Sequence, residues 1–180
     1  MRELIRAGLG RPPEIVTDRW QMVADLASLN ALPQEVDVIV PLALWRGEAA
    51  RWPDRPSGVG VLLNPDDDPL LLEPGIARLQ VVAIEFPVFT DGRGYSLARL
   101  VRERLGFRGE LRAVGDVQRD QLFYLLRCGF DAFALAAGKP FDEALGAFHD
   151  FTEAYQAGAD QPIPLYRRRI LGMPFHGPRS

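Results

Sequence analysis

Cysteine is almost missing from this sequence. The 180-residue chain has one, Cys128. It can therefore form no internal disulfide and no cysteine-built zinc or iron–sulfur centre. Histidine is nearly as scarce, and His149 and His176 lack zinc-ligand spacing. Lysine occurs once, as Lys139, so arginine supplies nearly all of the 21 basic residues. Set against 24 acidic residues, these leave a net charge of -3, which argues against a nucleic-acid partner. No apolar run approaches the roughly 20 residues that span a bilayer. The start, MRELIRAGLGRPPE, lacks the apolar core of a signal peptide. These absences predict a cytoplasmic protein with no membrane association. No GxGxxG follows a strand and no CxxC occurs, so no cofactor is evident.

What is present is ordinary for a globular protein: 47% hydrophobic and 25% charged residues. The length suits one α/β domain, residues 1–180. Residues 1–35 read as an irregular N-terminal segment, with a short edge strand or hairpin within Glu14–Val23 and Trp20 as a packing anchor. A strand is expected over Val36–Leu44, ended early by Pro41, then a short helix over Glu48–Ser57. From Gly58 the pattern becomes regular. Strands are expected at 58–63, 79–86, 110–114 and 130–135. Each is followed by a helix, at 70–78, 96–105, 117–128 and 141–157. Four consecutive βα units with short connections predict a mostly parallel sheet. It would form a TIM-like half-barrel or an open flavodoxin-like sheet. Ser96 and Asp116 are the expected N-caps, and Gly106 and Gly129 the expected helix stops. Residues 158–180, with Arg167, Arg168 and Arg169, read as an extended basic C-terminal arm.

Alternation along the strands places Val82, Ile84 and Phe86 on one face, with Val81, Ala83 and Glu85 on the other. Leu111 and Ala113 likewise oppose Arg112 and Val114. A face carrying Glu85, Arg112 and Asp131 suits a lined concave interior rather than a doubly wound core. Such a face needs a cover, so a homodimer is expected.

Two polar groups follow consecutive strands: Asp91, Arg93, Tyr95 and Ser96, then Asp116, Arg119 and Asp120. In a parallel sheet both lie at the carboxyl ends of the strands, where ligands bind. Gly92 and Gly94 let the backbone approach a ligand. Arg93 offers a planar fork for phosphate, sulfate or carboxylate, and free amides at the next helix start attract anions. The expected anion-binding set is Arg93, Gly94, Tyr95, Ser96, Arg112 and Arg119. Glu85, Asp91, Asp116 and Asp120 are the candidate acids or bases. The bland alternative makes Asp91 a turn residue, Arg93 a surface ion pair and Asp116 a helix cap. Cys128 ends a helix before a strand. That places it at the opposite edge, as a buried thiol without redox work.

The stretch FPVFTDGRGYSLARLVRERLGFRGELRAVGDVQRDQLFYLLRCGFDAF, with VIVPLALW nearer the start, resembles the bacterial domain-of-unknown-function family 934. The resemblance implies a role in assimilatory sulfite reduction, and hence in cysteine biosynthesis, as an oxidoreductase or as an accessory of sulfite reductase. No redox centre accompanies the motif, so any cofactor of electron transfer would be held non-covalently or by the partner. Two readings stay open. One is an accessory that docks on sulfite reductase or presents an oxyanion through Arg93 and Arg112. The other is a stand-alone half-barrel enzyme using Glu85, Asp91 or Asp116 on a small anionic metabolite.

Overall fold

The computed structural model describes residues 2–8 and 11–149. The expected basic arm over 158–180 lies outside them. The chain opens with a hairpin, β1 (Arg2–Gly8) and β2 (Arg11–Asp18), followed by the short strand β3 (Gln21–Met22) and helix α1 (Leu26–Asn30). Next come β4 (Val38–Pro41) with α2 (Leu42–Gly47), then β5 (Val59–Leu63), then β6 (Val81–Phe86). After β6, α3 (Arg93–Arg99) runs on into a π-turn over Leu100–Arg104. β7 (Glu110–Gly115), α4 (Leu122–Arg127), β8 (Ala132–Phe133) and α5 (Phe141–Leu145) complete the order.

All eight strands form one sheet in the order β2-β1-β8-β7-β6-β5-β4-β3. Neighbours from β3 through β8 are parallel, whereas β1 pairs antiparallel with both β2 and β8. The sheet is therefore mixed, and the expected mostly parallel sheet of four βα units is corrected to a parallel run extended by an antiparallel hairpin. Residues 1–35, expected to be irregular apart from a short edge strand or hairpin within 14–23, supply three of its strands: β2 and β3 are edge strands overlapping that range, and β1 was not expected. Pro12 and Pro13 obscure the start of β2, but β2 is an edge strand, where proline removes no needed donor. Several helices are shorter than expected. The segment over 70–78 is two 3-10 turns, Pro69–Leu72 and Ile76–Arg78, and α2 begins directly at the end of β4.

Chain connectivity shows that the sheet is curled. β2 and β3 are its opposite edges, yet only Arg19 and Trp20 separate them. Three residue steps reach at most about 11 Å. A flat sheet of this many strands would hold its edges about 34 Å apart. The sheet therefore bends into a half-barrel that brings the end of β2 close to the start of β3.

The two faces differ as alternation required. Val82, Ile84, Phe86, Leu111 and Ala113 join the main core under the helices. Trp20, Ile39, Val81 and Ala83 form a second cluster on the concave face, with Leu62 and Val114 at its margin. Trp20 crosses the floor of the half-barrel. Its ring lies so close to Gly58 that a Cβ there would stand 2.6 Å from Cη2. Arg112 occupies the same face. It is 1% exposed, and its Nη1 donates to both Asp18 carboxylate oxygens at 3.0 Å. Its Nε donates to Glu110 at 2.8 Å, and Glu110 also accepts from Arg6. Asp131, expected on the concave face, instead accepts from the Leu111 amide and from Arg102. Arg102 reaches across to the Phe107, Gly109 and Gly129 carbonyls.

Candidate functional site

The carboxyl ends of β6 and β7 lie side by side, with Glu85 paired to Val114 and Phe86 to Gly115. Gly115 takes φ +94°, and a Cβ there would meet the Phe86 carbonyl oxygen at 2.4 Å. Only glycine fits this turn. The turn lets the Asp116 amide donate to the same Phe86 carbonyl at 2.7 Å. It also aims the Asp116 side chain back at the preceding loop, where Oδ2 accepts from the Phe89 amide at 3.0 Å. Asp116 is thus a brace between two βα loops and not a helix N-cap. Gln118 caps the 3-10 turn Arg119–Gln121 that leads into α4, and its amide donates to Gln121 Oε1 in a reciprocal capping box.

Gln121 completes the brace. Its Nε2 donates to the Phe89 carbonyl and to Tyr95 Oη, both at 3.0 Å. Tyr95 packs on Phe86 and, edge-on, on Tyr124, with ring centroids 5.3 and 5.0 Å apart. Burial pushes the Tyr95 phenol up, and the Gln121 bond opposes this. The residues so fixed present an apolar surface: Val88 and Phe89 are each 53% exposed and Tyr124 is 55% exposed.

Arg93 lies beside this surface. It begins α3, so Gly92 rather than Ser96 stands at the cap position, and Ser96 is an exposed residue inside the helix. Gly94 is buried against the Phe86 ring, which leaves no room for a Cβ. The Arg93 guanidinium is already engaged. Nε and Nη2 donate to the Asp91 carboxylate at 3.0 and 2.7 Å, and Nη1 pairs with Asp66. These bonds, Asp91 first, raise the Arg93 pKa, and the same contact lowers that of Asp91. Arg119 donates to the Glu143 carbonyl at 3.2 Å, and Asp120 beside it is exposed. Glu85 is half-buried on the concave face at its open end.

The structure thus brings Asp91, Arg93, Tyr95, Asp116 and Arg119 to one edge of the sheet. Arg112 lies apart, sealed on the concave floor by Asp18 and Glu110, and Cys128 is buried at the end of α4. Sequence reasoning missed Val88, Phe89, Gln118, Gln121 and Asp66. Two apolar residues in a polar loop, between a proline and a glycine turn, were the available signal for the first pair. The edge as a whole is acidic: Asp66, Asp67, Asp91, Asp116 and Asp120 outnumber Arg93 and Arg119. Among the described residues no cluster of three or more His, Cys, Asp or Glu side chains could hold a metal ion. Likewise, no helix there is long and apolar enough to cross a membrane.

A family model described as "Bacterial protein of unknown function (DUF934)" matches residues 60–166. The match runs from β5 onward and contains every residue of this edge. It leaves out the hairpin and the VIVPLALW segment. No curated protein matches the chain.

Proposed function

Because the chain belongs to the DUF934 family of bacterial proteins of unknown function, we propose that it acts in the cytoplasm as an accessory of assimilatory sulfite reduction, docking on sulfite reductase through the carboxyl edge of β6 and β7. The observation that carries this reading is the braced loop Pro87–Asp91. Asp116 and Gln121 hold its backbone while Val88 and Phe89 stand out in solvent. Apolar side chains on an immobilised loop bind a partner without first losing loop entropy. An apolar centre rimmed by charge is the usual anatomy of a protein interface. The acidic rim selects a partner surface rich in arginine or lysine.

The oxyanion limb of the proposal rests on Arg93, with Gly94, Tyr95 and Ser96 around it. Sulfite would replace Asp66, the more exposed of its two carboxylates. The surrounding acids oppose an anion, so docking is the better supported limb. Residues on the open part of the concave face, Leu62, Glu85 and Val114, are half-buried, and a second copy of the chain is proposed to cover them. The enzyme reading keeps one supporting observation: Glu85 is a half-buried carboxylate at the mouth of the half-barrel, placed to act as acid or base.

Pull-down of co-expressed sulfite reductase tests the docking. The native chain should retain the reductase, and Val88→Asp/Phe89→Asp should lose it at an unchanged melting temperature. A native chain that retains none, or a double variant that retains it equally, rules the docking out. Turnover of a small anion by the isolated protein, abolished in Glu85→Gln, would establish the enzyme reading instead. Calorimetric titration with sulfite tests Arg93. Arg93→Ala should weaken binding at least about tenfold, the loss of a charge-assisted contact of about 1.5–3 kcal/mol. Unchanged affinity removes Arg93 from the site. Light scattering at micromolar concentration reads the dimer.

A further inference from the structure

A second site lies on the helix-bearing face, between α2 with its following turn and the two 3-10 turns that lead into β6. It is a cavity of about 380 Å³, inside the roughly 300–1,000 Å³ range of small-molecule sites. Two indole rings form its wall. Trp52 is buried, and its Nε1 donates to the Trp45 carbonyl at 2.6 Å. This bond ties the two tryptophans together and satisfies the one polar atom of the buried ring. Trp45 lies over Gly75, where a Cβ would stand 2.7 Å from Cζ2. The glycine therefore lets this ring sit against the cavity, and any larger residue would push it away. Leu71, an exposed large apolar side chain, completes the apolar lining.

The polar groups at this cavity all have one sign. Arg46, in the last turn of α2, and Arg78, at the end of the second 3-10 turn, both line it. Both are exposed, and no carboxylate lines the cavity with them. Arg93, Arg102 and Arg112, by contrast, are each tied to an acid. Paired indoles offer stacking faces for a planar ring. Guanidinium groups at the rim supply planar forks for a carboxylate, sulfonate or phosphate.

The geometry points to this cavity as a binding site for a small planar aromatic anion, with the ring between Trp45 and Trp52 and the charge on Arg46 and Arg78. The site is separate from the docking edge. It does not depend on a role in sulfite reduction.

The test uses two fluorescent probes of similar ring system. 8-Anilinonaphthalene-1-sulfonate carries the anion, and N-phenyl-1-naphthylamine does not. Two of the three tryptophans of the chain line the cavity, so energy transfer from tryptophan to the bound probe reports occupancy. The full chain should bind the sulfonate saturably, one probe per chain. Arg46→Ala/Arg78→Ala should weaken the sulfonate at least about tenfold and leave the uncharged probe nearly unchanged. Ala49→Phe, placed at the exposed margin of the cavity, should block both probes while the circular dichroism spectrum stays native. Any one of the following outcomes overturns the proposal. The folded chain binds neither probe saturably, the double arginine variant holds the sulfonate as tightly as the native chain, or Ala49→Phe leaves binding intact. Preference for the uncharged probe would show a pocket for a partner's apolar side chain, and would overturn the anionic assignment.

Discussion

Arg112 carries a full charge on the floor of the half-barrel, with its side chain 2% exposed. Such a group is tolerated only when its counter-charges are buried with it. Asp18 and Glu110 provide them, and Arg6 shares Glu110 from the hairpin. Removing Asp18 leaves Arg112 with one carboxylate that it must divide with Arg6. Asp18→Ala should therefore cost about 3 kcal/mol, read from the urea midpoint. The double variant Asp18→Ala/Arg112→Met should be less destabilised than the single one, because no unpaired charge remains. A loss under about 1 kcal/mol in the single variant would mean that water reaches the network.

Two carboxyls should titrate in a fixed order. Burial is the main cause raising Asp131, opposed by Arg102 and the Leu111 amide. Hydrogen bonds from Arg93 lower Asp91. Carboxyl-carbon NMR should therefore find Asp91 titrating below Asp131, and Arg93→Ala should return Asp91 toward the ordinary aspartate value. The linkage signs are opposite. The raised Asp131 favours the fold most below its unfolded value, and that contribution is lost as pH rises through the folded one. The lowered Asp91 favours the fold above its unfolded value, and that contribution is lost as pH falls through the folded one.

The loops that follow β6 and β7 work as one element. The tight turn at Gly115, the Asp116 brace and the Gln118–Gln121 capping box all depend on the chain leaving β7 at a positive φ. Gly115→Ala should cost on the order of 2 kcal/mol for strained backbone alone, and the close Phe86 carbonyl adds to it. The variant should also free the Phe89 loop. Amide exchange at Phe89 should then speed up more than at Val82 in β6 or Leu111 in β7. Equal acceleration everywhere would show global destabilisation without loss of the brace. The helix expected from 117 begins later, with the 3-10 turn Arg119–Gln121 ahead of α4, for a related reason. An aspartate after a strand is a good cap candidate, but Asp116 is drawn to the Phe89 amide of another loop. That competition is invisible in a local window.

At the scale of the molecule, Trp20 substitutes for a missing layer. Among the described residues the curled sheet has helices on one face only, and the two residues that join its edges carry an indole into the concave side. Trp20→Ala should cost about 3–5 kcal/mol, the range for deleting a buried aromatic. Its tryptophan fluorescence should lose the most buried component. A small effect would mean that Ile39, Val81 and Ala83 close over the gap.

The sequence alone determined the faces of β6 and β7, because side chains alternate strictly along a strand. It also determined the helix stops at Gly106 and Gly129, which take φ +65° and +104°. The location of the polar loops followed from strand order, since βα units place them at one edge. Three things were decided only by tertiary structure. The hairpin of Arg2–Asp18 is held by pairing with β8, more than a hundred residues away, and its two prolines hide it from local propensity. The curl of the sheet follows from which strands become its edges, which no single strand encodes. The partners of Arg93, Arg112 and Asp116 depend on distances across the fold. Residue type can say that an arginine will find an anion, but only the packed chain decides that Asp91, Asp18 and Glu110 reach those guanidinium groups first.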